Sequence, residues 1–271
     1  MQGVIPASDA AALAREKGVD IPTLMSMLLP DAARFAKPPI SSFRVGCVSR
    51  GLSGALYFGT NLEFAGEALS FTVHAEQSSV TNAWMNGETG IDRLAVTAAP
   101  CGYCRQFLNE LVTAQQLTIS MGEVTQPLTA LLPHAFGPRD LGIDGGLLQR
   151  EDHALAIDSG DDLAQAALAA ANMSYAPYSK SYAGVALRTS DGTTATGAYA
   201  ENAAFNPSMS PLEVALSRLN LAGGAFDAIE DAVLVHVDSL HTEATRVVLR
   251  AITRAPLRLV QARNSAQAGR R

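Results

Sequence analysis

Four residues in the N-terminal half have types and spacing that can do chemistry. His74 and Glu76 stand two apart, and Cys101 and Cys104 stand three apart directly after Pro100. Two cysteines three apart at the start of a helix point the same way, so their thiolates can grip one ion. Pro100 favours a helix start here because its missing N–H costs nothing in the first turn. The exposed amides of that turn also stabilise thiolate charge. His74, at the start of another helix, supplies a third ligand. Three protein ligands leave the fourth tetrahedral position for water, the pattern of a reactive metal site. On a regular helix Glu76 lies about 200° round from His74, which argues against it as a fourth ligand. At a helix N-terminus it can still reach the proton of a water held by the metal.

Other readings of the same residues stay open at this point. A redox Cys-x-x-Cys needs a thioredoxin-like setting and no paired His-x-Glu. A structural zinc site needs a fourth Cys or His. The candidates are Cys47, which reads as a buried bystander, and His134 and His153, which read as loop residues remote in sequence.

The elements that must position this set recur along the chain. Spacing around Pro39, Gly46, Gly59 and Glu63 returns 138 residues later at Pro177, Gly184, Gly197 and Glu201. A fixed offset over such a length points to an internal duplication. In the first copy strands are predicted over 45–50 and 55–61, a helix over 74–85, a strand over 94–98 and a helix over 101–113. Further strands are predicted over 117–121 and 129–132. In the second copy a helix over 159–173 opens the module, followed by strands over 183–189 and 193–199, a helix over 211–221 and a strand over 232–237. Strands alternating with helices give an α/β module with a mixed sheet. Residues 1–35 read as a helical extension, with Ser8 or Asp9 capping one helix and Pro22 opening a second. The Gly-rich, polar stretch 141–158 reads as the linker. The expected organisation is a helical extension over 1–35, a catalytic metal-binding module over 36–150 and a second module over 151–271. Under the 138-residue offset Glu76 falls near Glu213, and His74 falls on Pro211 or Leu212. No cysteine follows Cys104, so the second copy cannot build the same metal site.

Composition sets limits on the rest. The 271 residues are 48% hydrophobic and 17% charged, a globular balance with room for about two domains. The net charge of −6 disfavours a surface that tracks phosphates. Its one basic cluster, Arg263, Arg270 and Arg271, reads as a frayed tail. Three cysteines argue against a disulfide framework, and residues 1–6 show no secretory signal, so a cytoplasmic location is expected. No apolar run is long enough to span a bilayer.

Taken together, His74-x-Glu76 and Pro100-Cys101-x-x-Cys104 match the signature of the zinc deaminases. The chain resembles the homodimeric, two-module bacterial cytidine deaminases over about 38–252. The resemblance is carried by SFRVGCVSRGLSGALYFGTNLEF (42–64), TVHAEQS (72–78), PCGYCRQFLNEL (100–111) and HAFGPRDL (134–141). In the second half it is carried by YSKSYAGVAL (178–187) and GAYAENAAFNPS (197–208). It implies a three-layer α/β/α deaminase-like module, duplicated, with one zinc per chain held by His74, Cys101 and Cys104 and with Glu76 as proton carrier. It also implies hydrolytic deamination of cytidine and deoxycytidine, with Asn61 and Glu63 on the ribose, Phe43 on the pyrimidine and the Ala75 backbone at the base. Phe136 matches a residue that reaches the partner subunit's site. The chain departs from the family where Ala98-Ala99 precede Pro100 in place of Tyr-Thr, which concerns substrate contacts rather than the metal. A deaminase of another base, or a non-catalytic zinc-binding interaction protein, are the rival readings.

Overall fold

The computed structural model describes residues 3–264, and the chain divides into two compact units. The first comprises Met1–Glu63, Thr72–Gln149 and Asn202–Pro207; the second comprises Phe64–Phe71, Arg150–Glu201 and Ser208–Arg271. Each unit therefore includes one short segment from the other half of the sequence.

In the first unit the elements run β1 (Val4–Ile5), α1 (Ala7–Lys17), α2 (Ile21–Met27), α3 (Leu29–Ala33), β2 (Gly46–Gly51), β3 (Leu56–Thr60), α4 (Ala75–Met85), β4 (Ile91–Val96), α5 (Gly102–Leu108), β5 (Thr118–Met121), β6 (Val124–Pro127) and α6 (Leu128–Leu131). Its sheet has the order β1-β3-β2-β4-β5-β6, mixed because only β4 and β5 run parallel. The second unit contains β7 (Leu155–Ala156), α7 (Asp162–Asn172), β8 (Ala183–Thr189), β9 (Thr194–Ala198), α8 (Pro211–Leu221), β10 (Ile229–His236), α9 (Thr242–Ile252), β11 (Leu257–Gln261) and β12 (Arg263–Asn264). Its main sheet, β9-β8-β10-β11, repeats β3-β2-β4-β5 strand for strand, again with the last pair parallel. Even the register repeats: Cys47 opposes Val96 in one sheet and Val185 opposes Leu234 in the other, both shifted by 138.

Two glycines per unit let helices close on both faces of the sheet. A Cβ on Gly46 would lie 2.4 Å from the Leu29 carbonyl oxygen of α3, and one on Gly59 would lie 2.2 Å from the Ala75 carbonyl oxygen of α4. Gly46 is paired with Thr60, so it faces the opposite side from Gly59. The helices α3 and α4 therefore cover opposite faces, which is the three-layer α/β/α arrangement. Gly184 against α7 and Gly197 against α8 repeat the device at 2.3 Å each. Between the layers, Val48, Leu56, Leu94, Val96 and Ile119 of the first unit are buried, as are Leu163, Ala167, Ala186, Val233 and Val235 of the second.

Several expected boundaries move. The stretch 129–132 is not a strand: Gly122, with φ +61°, turns β5 back into β6, and Pro127 then caps α6. The helix expected over 101–113 stops at Leu108, and α1 is entered from Pro6 rather than from Ser8 or Asp9. Residues 1–35 are not purely helical, because Val4 and Ile5 pair with Tyr57 and Leu56 at the sheet edge. Arg263 is not in a frayed tail but in β12, paired with Ala156 of β7; Arg270 and Arg271 lie outside the described residues. Among the described residues, no helix is long and apolar enough to cross a membrane.

The offset also changes between strand and helix. Gly59 meets Ala75 and Ser79, whereas Gly197 meets Pro211 and Ala215, a shift of 136 rather than 138. The N-cap of α4 is His74 and that of α8 is Ser210. Ser210 therefore occupies the place of His74, Leu212 that of Glu76, and Glu213 that of Gln77. The placement of Glu76 opposite Glu213 is corrected accordingly: the connection before α8 is two residues shorter.

Candidate active site

His74 is the N-cap of α4, with extended backbone (φ −88°, ψ 154°), and Cys101 is the N-cap of α5 in the same conformation. An N-cap side chain is not committed to the helix surface, so each of these can turn towards the other helix. The His74 Nδ1 lies 3.7 Å from the Cys101 Sγ, and the Cys101 and Cys104 sulfurs are 3.7 Å apart. The three ligand atoms all lie within 4.8 Å of one another. A tetrahedral zinc with bonds of about 2.3 Å to sulfur and about 2.0 Å to nitrogen would need edges of about 3.5–3.8 Å. The residues fit the ion.

Electrostatics within the triangle favour a thiolate at Cys101. The neighbouring Cys104 and the His74 ring lower Cys101 to about 3, so it is a thiolate at neutral pH. That same sulfur, together with burial, pushes Cys104 upward, and the Cys101 contact raises His74. A divalent ion is what allows both sulfurs to be thiolates at once.

Glu76 is 4% exposed, and burial raises its carboxyl above the ordinary range. The angular argument from a regular helix does not apply, because His74 precedes the first helical turn. His74 and Glu76 line the same cavity, of about 280 Å³. A buried carboxyl with a raised pKa beside a metal position suits proton transfer in both directions.

The cavity is also lined by Phe43, Asn61, Glu63, Ala75, Ala98, Ala99 and Cys101, with Ser41, Val45 and Thr72. Asn61 accepts from the Val45 N–H at 2.9 Å and donates to the Phe43 carbonyl at 2.8 Å. Glu63 accepts from the Ile40 and Ser41 N–H groups at 2.8 and 2.9 Å and from the Ser41 hydroxyl at 2.5 Å. Burial works to raise the Glu63 carboxyl, and these donors outweigh it, leaving it lowered. Asn61 and Glu63 thus pin the loop that presents Phe43, an exposed residue that lines the cavity.

Phe136 does not line this cavity. Its carbonyl is held by Gln106 at 2.8 Å and Asn109 at 3.0 Å, and its side chain is left 47% exposed. Cys47 is buried on β2, and burial holds its thiol well above the ordinary value.

Three supporting residues escape a sequence reading. Ser41 ties the Phe43 loop to Glu63. Gln77 accepts from the His74 N–H at 3.1 Å and donates to the Pro207 carbonyl at 3.0 Å. Tyr103 stacks on His74, with ring centroids 5.4 Å apart. Of these only Gln77 had a local signal, a Gln three residues after a helix cap.

Two matches to family models cover most of the chain: the cytidine and deoxycytidylate deaminase zinc-binding region matches residues 20–120 and again 128–247. A cytidine deaminase of Shewanella loihica is 50% identical over 86% of this chain and 79% of its own length. One from Cronobacter sakazakii is 48% identical over 95% of this chain and 88% of its own. This chain belongs to the cytidine deaminase family. The crystal structure of cytidine deaminase from Mycobacterium tuberculosis is 28% identical over 42% of this chain and 96% of that one, with a TM-score of 0.39. The second family match extends over a stretch with no cysteine, so there it reflects the deaminase fold rather than the ligand set.

Proposed function

We propose that the chain catalyses the hydrolytic deamination of cytidine and 2'-deoxycytidine to uridine and 2'-deoxyuridine, releasing ammonia, as a step of pyrimidine salvage in the cytoplasm. The observation that carries this reading is the His74–Cys101–Cys104 triangle, with Cys101 3.7 Å from each of the other two ligand atoms and all three within 4.8 Å of one another, opening on the cavity that also holds the buried Glu76 carboxyl.

His74, Cys101 and Cys104 hold one zinc per chain. Zinc, when bound, supplies the acidity that makes a water reactive near neutral pH. Glu76 would take a proton from the attacking water and give it to the ring nitrogen N3, making C4 electrophilic as the water oxygen bonds to it. It would then carry the second proton of that water to the amino nitrogen as the C4–N bond breaks and C4=O forms, so that water and cytidine become uridine and ammonia. Its burial supports the first role, since a carboxyl raised above the ordinary carboxylate range accepts a proton more readily than an exposed one. Phe43 packs on the pyrimidine, and the Ala75 backbone meets the base. The edges of Asn61 and Glu63 that are not used by the 40–45 loop meet the ribose hydroxyls. Ala98 and Ala99 leave the base side of the cavity without an aromatic wall.

The residues that carry out the chemistry lie within residues 36–150. Residues 151–271 form a copy without catalytic residues, kept for packing and for a homodimer in which Phe136 of one subunit reaches the site of the other. The test is a parallel assay on cytidine, deoxycytidine, free cytosine, guanine and single-stranded DNA. Conversion confined to the two nucleosides is the expected result. Turnover of a free base or of DNA, with neither nucleoside consumed, would overturn the proposed substrate.

A further inference from the structure

His74 is an unusual ligand to keep in place. As an N-cap on extended backbone it lies outside the helix proper. Its polar contact is through Nδ1, towards Cys101. Tyr103, between the two cysteines in sequence, lays its ring against the imidazole at 5.4 Å and 25°. The Tyr103 ring is fixed in turn at its far end, where its hydroxyl donates to the Asn206 carbonyl at 2.5 Å.

Asn206 sits in a segment built to be rigid. The Asn202 side chain accepts from the Ala204 N–H at 3.0 Å, the Asn202 carbonyl accepts from the Phe205 N–H at 2.8 Å, and Phe205 takes φ +61°. Asn202–Pro207 belongs to the first compact unit and is bonded to both ligand-bearing helices. The Asn202 amide donates to the Gln106 carbonyl at 3.0 Å, and the buried Glu110 accepts from the Ala203 N–H at 2.9 Å. Gln77, which holds the His74 N–H, donates to the Pro207 carbonyl.

We propose that Tyr103 is a positioning residue for the metal centre: its ring, anchored through its hydroxyl to the Asn206 carbonyl, fixes the plane of the His74 imidazole. The chemistry suits the role. An imidazole that gives electron density to a cation is polarised positive, and the face of a phenol ring attracts such a partner. Groups that orient a metal-ligating histidine typically govern metal affinity by about 10- to 100-fold. This assignment rests on the proposed zinc site, and it adds that residues 202–207, although distant in sequence, complete that site.

The test uses the whole, zinc-loaded chain and follows zinc transfer to a chelating dye, alongside the visible spectrum of the cobalt-substituted protein. Tyr103→Phe keeps the ring and loses the anchor, Tyr103→Leu fills similar space without a ring, and Tyr103→Ala removes both. Zinc release is expected to quicken about 3-fold in Tyr103→Phe and about 10- to 100-fold in Tyr103→Leu. The cobalt bands should shift in the leucine variant, with kcat lowered and KM little changed. A packing role alone predicts that leucine behaves like phenylalanine, and that result, or release at the wild-type rate in both, would overturn the proposal. Should Tyr103→Ala fail to fold, the phenylalanine and leucine variants decide. Failure of the wild-type chain to retain zinc would instead refute the metal site itself.

Discussion

Ser210 and His74 occupy the same position on equivalent helices, yet only one of them can bind a metal. In both units a polar N-cap is followed three residues later by a side chain that accepts from the cap's own N–H: Gln77 for His74, and Glu213 for Ser210 at 2.7 Å. In both, a carboxylate at the end of the second strand ties down the preceding loop. Glu63 holds the amides of Ile40 and Ser41, and Glu201 those of Tyr178 and Ser179 at 2.8 and 3.1 Å. These shared features belong to the fold. The differences mark the chemistry. Leu212 stands where Glu76 stands. Tyr199 takes the place of Asn61, buried and hydrogen-bonded to Glu201 at 3.3 Å, with its ring against His241. One unit has a cavity at this place, and the other sets a buried aromatic ring at the position of Asn61.

Exchanging residues between the two patterns should break this contrast in graded steps. The largest effect is expected from Glu76→Leu, which gives the first unit the residue of the second. Cytidine turnover should fall at least about 10³-fold while the chain still binds zinc, read by absorbance assay and metal analysis. Next comes Glu213→Gln. Burial pushes the Glu213 carboxyl up to about 7, well above the ordinary carboxyl value. The folded chain therefore keeps a proton that the unfolded chain gives up, and stability falls as pH rises from about 4.5 to about 7 and stays low above that. Glutamine removes this loss. Denaturant unfolding should find the variant up to about 3 kcal/mol more stable at pH 8 and little changed at pH 4, with turnover per zinc unaltered.

The reverse exchange, Gln77→Glu, sets a buried carboxylate against the Pro207 carbonyl. It should cost about 1–3 kcal/mol of stability at pH 8, by the same unfolding measurement, and less at pH 5, where the new acid can be protonated. The smallest effect belongs to Phe136→Ala. If Phe136 completes the partner's site, KM for cytidine should rise about tenfold with zinc content unchanged.

How much of this could be read from the sequence varies with the range of the contacts involved. The grouping of His74, Glu76, Cys101 and Cys104 was legible because two short spacings and their residue types already point to one place. The sheet was legible because Gly46, Gly59 and their counterparts keep one offset, which close helix–strand approach enforces. The change to an offset of 136 at the second helix was not, because the shortening lies in a connection where length is lightly constrained. The two-residue strand β1 is too short to show a period, and it exists only because the edge of β3 is there to pair with. Tyr103 gave no signal at all: its significance depends on Asn206, 103 residues later. Asn61 and Glu63 were legible as a polar pair, but their bonds to the loop carrying Phe43 emerge only from the folded chain.

A chain that folds two deaminase modules and works with one of them should hold a single metal ion. Metal analysis of the intact chain, paired with cytidine turnover on the same sample, tests this most directly. One zinc per chain, conversion of cytidine to uridine, and loss of both in Cys101→Ser are expected. Two zinc ions per chain, or turnover that survives the loss of zinc in Cys101→Ser, would contradict it.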